Sequence, residues 1–121
     1  MEVSRKMRDG VAWFVADGEG SLVEAVELIS RAIVWSREKG ADKLLFDCRR
    51  FAGVSIPTLI DRFLMIEDWA EASQGMVRVV LVVRAEYIQA HKFGVKVAVD
   101  FGLTANVFSS ESDALAWLNA A

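Results

Sequence analysis

Val-Arg-Val-Val-Leu-Val-Val, residues 77–83, is the stretch that decides the fold, because five of its seven residues are valine. β-Branched side chains pack well on a pleated sheet and are slightly disfavoured in helices, so this segment predicts a strand. Lys-Leu-Leu-Phe-Asp-Cys, residues 43–48, is a second and nearly continuous apolar run. Such a run is typical of a strand that is covered on both faces of a parallel sheet. The two segments therefore predict the centre of an α/β fold.

Two capped amphipathic helices flank the earlier of these strands. Ser21 and Glu24 have the spacing of a capping box, and Gly40 is predicted to end the helix that they open. Ser55 and Pro57 mark the start of the next helix, with Ser55 as its N-cap, since a proline in the first turn loses no needed hydrogen bond. The buried stripe of this second helix is predicted to consist of Leu59, Phe63, Ile66 and Ala70.

The chain opens with a predicted hairpin. Residues 3–7 and 11–16 are strand candidates, and Asp9-Gly10 between them supplies two residues that can reach the positive φ of a tight turn. A two-residue turn joins antiparallel strands. The first strand is therefore predicted to lie antiparallel at an edge of the sheet.

The last third of the chain continues the alternation of helices and strands. Residues 86–101 predict a helix in which Gly94 permits a close approach, residues 104–108 predict a strand, and Ser109 or Ser110 caps a short terminal helix. Strands separated by helices pair in parallel through right-handed crossovers. The order ββαβαβαβα thus predicts an α/β fold with a mostly parallel five-stranded sheet, an antiparallel edge strand and helices packed on it. No linker interrupts the pattern, so we expect a single domain spanning all 121 residues.

Composition and charge exclude several classes of protein. The chain is 54% apolar and 26% charged, which gives enough apolar material for a compact core and too much for disorder. Its net charge of −3, without a basic run, is unlike that of nucleic-acid binders. No apolar stretch reaches the ~18 residues that span a bilayer, and residues 1–7 lack a signal core. We therefore expect a cytoplasmic protein with no nucleic-acid partner and no membrane insertion.

The sequence carries no motif typical of an enzyme or a cofactor site. Cys48 is the only cysteine and His91 the only histidine, so neither an internal disulfide nor a metal site is predicted. His91 has no nucleophile at a recognisable spacing, and Gly18-Glu19-Gly20 lacks the third glycine of a dinucleotide loop. We therefore predict that the protein is not an enzyme and has no catalytic residue, metal or cofactor.

Three short pieces of the chain resemble one family. They are Val-Ala-Asp-Gly-Glu-Gly at 15–20, Leu-Leu-Phe-Asp-Cys-Arg at 44–49, and Asn-Val-Phe-Ser at 106–109 followed by Asp-Ala-Leu-Ala-Trp-Leu at 113–118. With the element order, they make the chain similar to the small bacterial SpoIIAA-like proteins, also called STAS-like or STAS/SEC14-like. The resemblance implies a non-enzymatic module that acts through protein–protein interaction in bacterial signalling. The alternative that it implies is a carrier or sensor of a small apolar, lipid-like ligand.

The resemblance also implies a site. Antagonist proteins of this family are switched by phosphorylation of a serine at the start of the second helix, and Ser55 occupies that place, although the flanking Asp and Gly of the family motif are absent. Asp47 at the end of a predicted strand, and Arg49 and Arg50 just beyond it, are predicted to lie at the edge of the sheet where α/β proteins bind ligands. Residues 49–54 are predicted to form a short, exposed, cationic loop. A protein partner is therefore predicted to bind at Ser55, Asp47, Arg49 and Arg50.

Tryptophans suggest a second surface. Trp35 and Leu28 lie off the main stripe of the first helix, and Trp69 lies beside the predicted stripe of the second. Exposed aromatic side chains are enriched in interfaces. These residues therefore predict a partner or homodimer patch, or alternatively the lining of an apolar pocket.

Overall fold

The computed structural model describes residues 2–89 and 92–120. These residues form one five-stranded sheet in the order β1-β2-β3-β4-β5. A single 3₁₀ turn at Ala85–Tyr87 follows β4. The elements in chain order are β1 (Glu2–Arg8), β2 (Val11–Glu19), α1 (Leu22–Glu38), β3 (Lys43–Ala52), α2 (Leu59–Ser73), β4 (Arg78–Val82), α3 (Phe93–Asp100), β5 (Ala105–Phe108) and α4 (Glu111–Leu118).

The strand directions confirm the predicted fold class. β1 pairs with β2 antiparallel, and the β2–β3, β3–β4 and β4–β5 pairs are all parallel. Asp9 and Gly10 take φ values of 52° and 79°, as the hairpin turn between the antiparallel strands requires. The antiparallel strand β1 lies at the edge of the sheet, where the sequence predicts it.

Helices cover both faces of the sheet, because successive side chains of a strand point to opposite sides. Leu44 and Phe46 of β3 pack in a core on the face covered by α1, α2 and α3, which we call the three-helix face. Leu45 points the other way and packs against Ala114 and Leu118 of α4. The sheet is therefore buried on both sides at its centre, as the continuous apolar runs predict.

The first helix begins as predicted. The Ser21 hydroxyl accepts the backbone N–H of Glu24 at 3.1 Å, and the Glu24 carboxylate accepts the N–H of Ser21 at 3.0 Å. Both contacts of the capping box are therefore present. At the other end Gly40 takes a φ of 74°, which a glycine reaches without steric cost.

The third strand is longer than the sequence predicts. β3 was expected to end at Cys48, with a loop over 49–54, but its pairing with β2 continues through Arg50, Phe51 and Ala52 after a register shift. Phe51 is buried beside Gly20, where a Cβ atom would lie 2.4 Å from the phenyl ring. The extension is therefore a long-range effect, since the partner strand and Gly20 together accommodate the residues that follow Cys48.

The second helix begins later than predicted, and its buried stripe is rotated. The prediction of Ser55 as N-cap is wrong, because Thr58 caps the helix through a capping box with Asp61 at 3.1 and 2.9 Å. Pro57 disfavours helical geometry in the residue before it, so the helix starts after the proline. The residues that α2 buries are Ile66, Trp69 and Ser73, whereas Leu59 and Phe63 of the predicted stripe are exposed.

The third helix is shorter than the predicted 86–101. Only the 3₁₀ turn and α3 are helical there, and the part of the predicted helix that contains His91 lies outside the described residues. Tyr87 is held in the first part by a hydrogen bond that its hydroxyl donates to the Val54 carbonyl, which fixes the turn against the neighbouring loop. The predicted close approach at Gly94 is confirmed, because a Cβ atom there would lie 3.3 Å from Ile66.

Candidate functional site

The carboxyl ends of the parallel strands carry the residues that the sequence predicts for the site, but the structure divides them into separate groups. Asp47 and Arg49 form an ion-pair cluster with Glu111 of α4. Ser55 lies in the segment between β3 and α2, next to Val54, which packs against the core on the three-helix face. Among the described residues, no hydrogen bond or ion pair joins Ser55 to Asp47, Arg49 or Arg50.

The ion-pair cluster is built around a buried carboxylate. The Arg49 guanidinium donates to Asp47 through Nε at 3.0 Å and through Nη2 at 2.8 Å, and the backbone N–H of Arg49 donates a third bond at 3.0 Å. The same Nη2 lies 3.2 Å from Oε1 of Glu111, in the first turn of α4. Arg49 therefore ties the end of β3 to the start of α4 through bidentate geometry.

Electrostatics agree with this structural role. Burial alone would raise the pKa of Asp47, but the hydrogen bonds from Arg49 and the charges of Arg49 and Arg50 lower the pKa overall. The bond to Asp47 raises the pKa of Arg49 in turn. Both groups therefore stay ionised near neutral pH, and Asp47 has no proton to donate as a general acid.

Arg50 and Ser55 are the predicted site residues that remain accessible. The Arg50 side chain points to solvent, with the Asp17 carboxylate 4.0 Å away. Ser55 is exposed in the loop between β3 and α2. Thr58, not Ser55, is the hydroxyl residue at the actual start of α2, and it is engaged in the cap. A role of these residues in partner binding stays a prediction.

An exposed apolar surface begins at the residue after Ser55, and it is not among the features predicted from the sequence. Its members are large apolar side chains at the start of α2 and just before it, and we call them the α2 apolar face: Ile56, Leu59, Ile60, Phe63 and Leu64. The signal was present in the sequence, since five large apolar side chains in nine residues are more than one buried helix stripe needs.

Aromatic contacts extend the α2 apolar face onto α3. The Phe63 ring centroid lies 6.0 Å from that of Phe93 and 5.9 Å from that of Phe101, the latter edge to face. Phe101 and the nearby Val99 are themselves exposed. The result is a continuous apolar surface over two helices, which is the kind of patch that marks an interaction site in a folded protein.

A cavity of about 160 Å³ lies between the three-helix face of the sheet and helices α1, α2 and α3. Its lining is mainly apolar and includes the aromatic residues Phe51, Trp69 and Tyr87. The volume matches a cavity that holds one benzene ring and is well below the roughly 300–1,000 Å³ of pockets for larger ligands. A cavity with aromatic lining is thus present, but its size does not support the carrier of a lipid-like ligand.

The two tryptophans of the alternative surface have different environments. Trp69 is buried, and its indole Nε1 donates a hydrogen bond to the Val26 carbonyl at 3.1 Å, so it is not available to a partner. Trp35 is half-buried, with the Arg5 guanidinium 5.1 Å from its ring centroid. Trp35 and Leu28 line a shallow groove beside β1. Only this part of the predicted tryptophan surface is accessible.

Residues 2–89 and 92–120 contain no group of three or more His, Cys, Asp or Glu side chains arranged to hold a metal ion. Within the same residues, no helix is long and apolar enough to cross a membrane. Burial raises the pKa of the Cys48 thiol to about 12, with a further contribution from the Asp47 charge, so the thiol is protonated at neutral pH and a poor nucleophile.

Solved structures resemble this architecture over nearly its whole length. An anti-sigma factor antagonist from Mycobacterium paratuberculosis superposes with a TM-score of 0.59 at 14% identity, covering 98% of this chain and 96% of that one. An uncharacterised protein with a SpoIIAA-like fold from Shewanella loihica superposes with a TM-score of 0.52 at 19% identity, covering 97% of this chain and 92% of that one. The unphosphorylated form of the anti-sigma factor antagonist SpoIIAA superposes with a TM-score of 0.53 at 14% identity, covering 99% of this chain and 100% of that one. The phosphorylated form of the Bacillus SpoIIAA superposes with a TM-score of 0.51 at 15% identity, covering 98% of this chain and 100% of that one.

The chain has the SpoIIAA-like STAS fold. No family model matches the sequence, and no curated protein matches it either. The predicted resemblance is thereby confirmed at the level of the fold. In this SpoIIAA-like architecture, Ser55 directly precedes the α2 apolar face along the chain, in the segment between β3 and α2.

Proposed function

We propose that this SpoIIAA-like chain is one domain that works as a non-enzymatic, regulatory protein-binding module. Two of the similar solved proteins are anti-sigma factor antagonists by name, which supports a partner that is itself a regulatory protein. The observation that carries the proposal is the α2 apolar face, because interface cores are rich in aromatic and large apolar side chains. Ser55 and Arg50 are proposed to lie at its margin.

The charges around the α2 apolar face indicate the chemistry of the partner. Beyond Leu64, the exposed positions of α2 are acidic, at Glu67, Asp68 and Glu71. An apolar centre with an acidic rim complements an apolar groove that is flanked by lysine or arginine. Such a rim contributes more to the rate and specificity of association than to affinity. We therefore infer a protein partner with an apolar, basic-edged groove.

Charge placed on the α2 apolar face is expected to abolish partner capture. Ile60 is 73% exposed, so Ile60→Glu and Leu64→Glu should leave the fold intact, while a desolvated carboxylate in an apolar interface weakens binding by about 100-fold or more. The matched control is Val23→Glu, at a position on α1 that is 75% exposed. The measurement is affinity capture from native extract on each purified variant, with bound proteins identified by mass spectrometry.

The proposal predicts a protein retained by the wild type and by Val23→Glu but lost from both α2 variants. Capture that is equal on all four baits would place the interface elsewhere, with the groove at Trp35 and Leu28 as the first alternative. Circular dichroism and thermal unfolding of each variant exclude loss of the fold as the cause.

Ser55→Asp is expected to tighten binding of the same partner by up to about tenfold, because it adds, as a phosphate would, a negative charge at the margin that faces the basic edge inferred for the partner. Ser55 is exposed, so stability should change by no more than about 0.5 kcal/mol. Ser112→Asp adds the same charge to an exposed position of α4, on the opposite face of the sheet, and should not affect binding. Titration calorimetry with the captured partner tests both variants, and equal affinities would remove Ser55 from the interface.

A further inference from the structure

The cavity on the three-helix face contains buried polar groups that no described residue satisfies. Nε of Arg62 and Oε1 of Gln89 are both inaccessible to solvent, have no hydrogen-bond partner among the described residues, and belong to residues that line the cavity. Buried polar atoms in folded proteins are nearly always paired with protein or ordered water. The unpaired Arg62 donor beside an apolar cavity therefore points to an occupant that accepts a hydrogen bond, whereas the Gln89 oxygen would need a donor.

The charges of the lining favour one sign of occupant. Three cationic residues line the cavity, Arg62, Arg84 and Lys92, and no aspartate or glutamate does. Lys92 is engaged by the side-chain carbonyl of Asn106 at 2.9 Å, and Arg84 lies near Glu86 at 3.5 Å. Arg62 has no such acidic neighbour within ion-pair distance among the described residues, and burial lowers the pKa of its guanidinium. An anionic group beside Arg62 would gain a charge-assisted hydrogen bond.

The volume of the cavity limits the apolar part of the occupant. About 160 Å³ accommodates one aromatic ring or a short alkyl chain, and an apolar space of this kind is not stably filled by water. The lining includes the exposed Arg84 and the half-buried loop residues Val54 and Pro57, so we expect a ligand to enter from this side. A molecule that enters there would place its apolar end among Trp69, Ile66 and Leu103.

We propose that this cavity binds a small amphiphilic carboxylate, with its single ring or short alkyl chain in the apolar interior and its carboxylate on the Arg62 guanidinium. Of the Gln89 side chain, which also lines the cavity, only the amide NH2 can donate to that carboxylate, because its unpaired Oε1 is an acceptor. This site is separate from the α2 apolar face and does not depend on the proposed protein-binding function. It also differs from a lipid-carrier site, because the second chain or the length of a lipid would not fit.

The probes are 3-phenylpropionate and the neutral 3-phenylpropanol, which share the ring and linker and differ in the head group. We expect saturable binding of the acid to the full chain, at least about tenfold tighter than the alcohol, because a hydrogen bond to a buried charged group has roughly that value. Titration calorimetry gives the affinities, and ¹H–¹⁵N NMR shifts should concentrate at the lining residues of the three-helix face.

Variants separate the two halves of the proposed site. Arg62→Met keeps the apolar stem and should reduce the preference for the acid to about onefold, whereas Arg62→Lys should retain part of it. Arg31→Met is the matched control, since Arg31 is an exposed arginine on α1 paired with Glu27, and it should bind like the wild type. Ala25→Leu and Ala105→Val fill the cavity from two different elements and should abolish binding of both probes.

Several outcomes would overturn the proposal. The proposal is wrong if the wild type shows no saturable binding of either probe at millimolar concentration. It is also wrong if the wild type binds the acid and the alcohol equally. Retention of the preference in Arg62→Met, or NMR shifts confined to the surface, would also overturn it. Thermal unfolding of every variant verifies that loss of binding is not loss of the fold, and the two filling variants make the result independent of either one.

Discussion

Arg49→Met is expected to destabilise the fold by about 2–3 kcal/mol, while Arg50→Met, one residue further on, changes stability by less than about 0.5 kcal/mol. Asp47 is 5% exposed, and removing its partner leaves a buried carboxylate without a counter-charge, which costs about 3–5 kcal/mol in fully buried pairs. The value is reduced here because the Arg49 side chain is 38% exposed. Arg50 is 73% exposed and makes only a long contact with Asp17, so it is the matched control.

The same variant has a predictable pH dependence. In the wild type, the pKa of Asp47 is lowered from 3.8, so the pair adds stability above that pH, and this contribution is lost as the pH falls through the lower, folded value. Without Arg49, burial of Asp47 should raise its pKa, and the variant should recover stability relative to the wild type as the carboxylate becomes protonated. Urea unfolding at neutral pH and near pH 4 measures the difference in the free energy of unfolding between the wild type and Arg49→Met.

This difference in the free energy of unfolding should become smaller on acidification. The double variant Asp47→Leu/Arg49→Met should be closer in stability to the wild type than Arg49→Met alone, since no buried charge remains. A difference that is constant with pH, or an Arg50→Met variant as unstable as Arg49→Met, would contradict the assigned role. In either case the ion pair would not have a stabilising role, and the prediction that Asp47 and Arg49 bind a partner would be the better explanation for these residues.

Local sequence signals were sufficient for those parts of the fold that depend on near neighbours. The Ser21–Glu24 capping box, the Asp9-Gly10 turn and the apolar strands all involve residues within a few positions of each other. The predicted start of α2 at Ser55 is wrong because Thr58, on the other side of Pro57, is also a capping residue, and the proline disfavours helical geometry at Ile56 before it. The length of β3 was missed because it depends on pairing with β2, more than thirty residues earlier.

The site could be predicted only in part. Asp47 lies opposite Val82 at the carboxyl end of β4. However, β3 continues to Ala52, so Asp47 and Arg49 do not lie at the end of their own strand as predicted. Their mutual hydrogen bonds depend on how β3 meets α4. The cavity is formed by side chains from three helices and three strands, so no local pattern could predict it. The α2 apolar face follows from the rotation of the helix, which is determined by what its other side buries against α1.

That rotation is tested by Trp69→Ala, which is expected to destabilise the fold by about 3–5 kcal/mol. Trp69 is 5% exposed, and its indole both fills the space between α2 and the core and donates to the Val26 carbonyl of α1. Trp69→Phe retains most of the buried volume and loses the hydrogen bond, so its cost should be smaller, about 1–2 kcal/mol. Far-UV circular dichroism in urea measures both without relying on tryptophan fluorescence.

Trp35→Ala is the comparison that makes the test specific. Trp35 is half-buried and packs edge to face on the core residue Phe14, so its removal leaves a space that is open to solvent and should cost less than the loss of the buried Trp69. If Trp69→Ala were as mild as Trp35→Ala, α2 would present a different side to α1. Leu59 and Phe63 would then belong to the core, as the sequence pattern alone predicts, and the apolar face proposed for the partner would not exist on the surface.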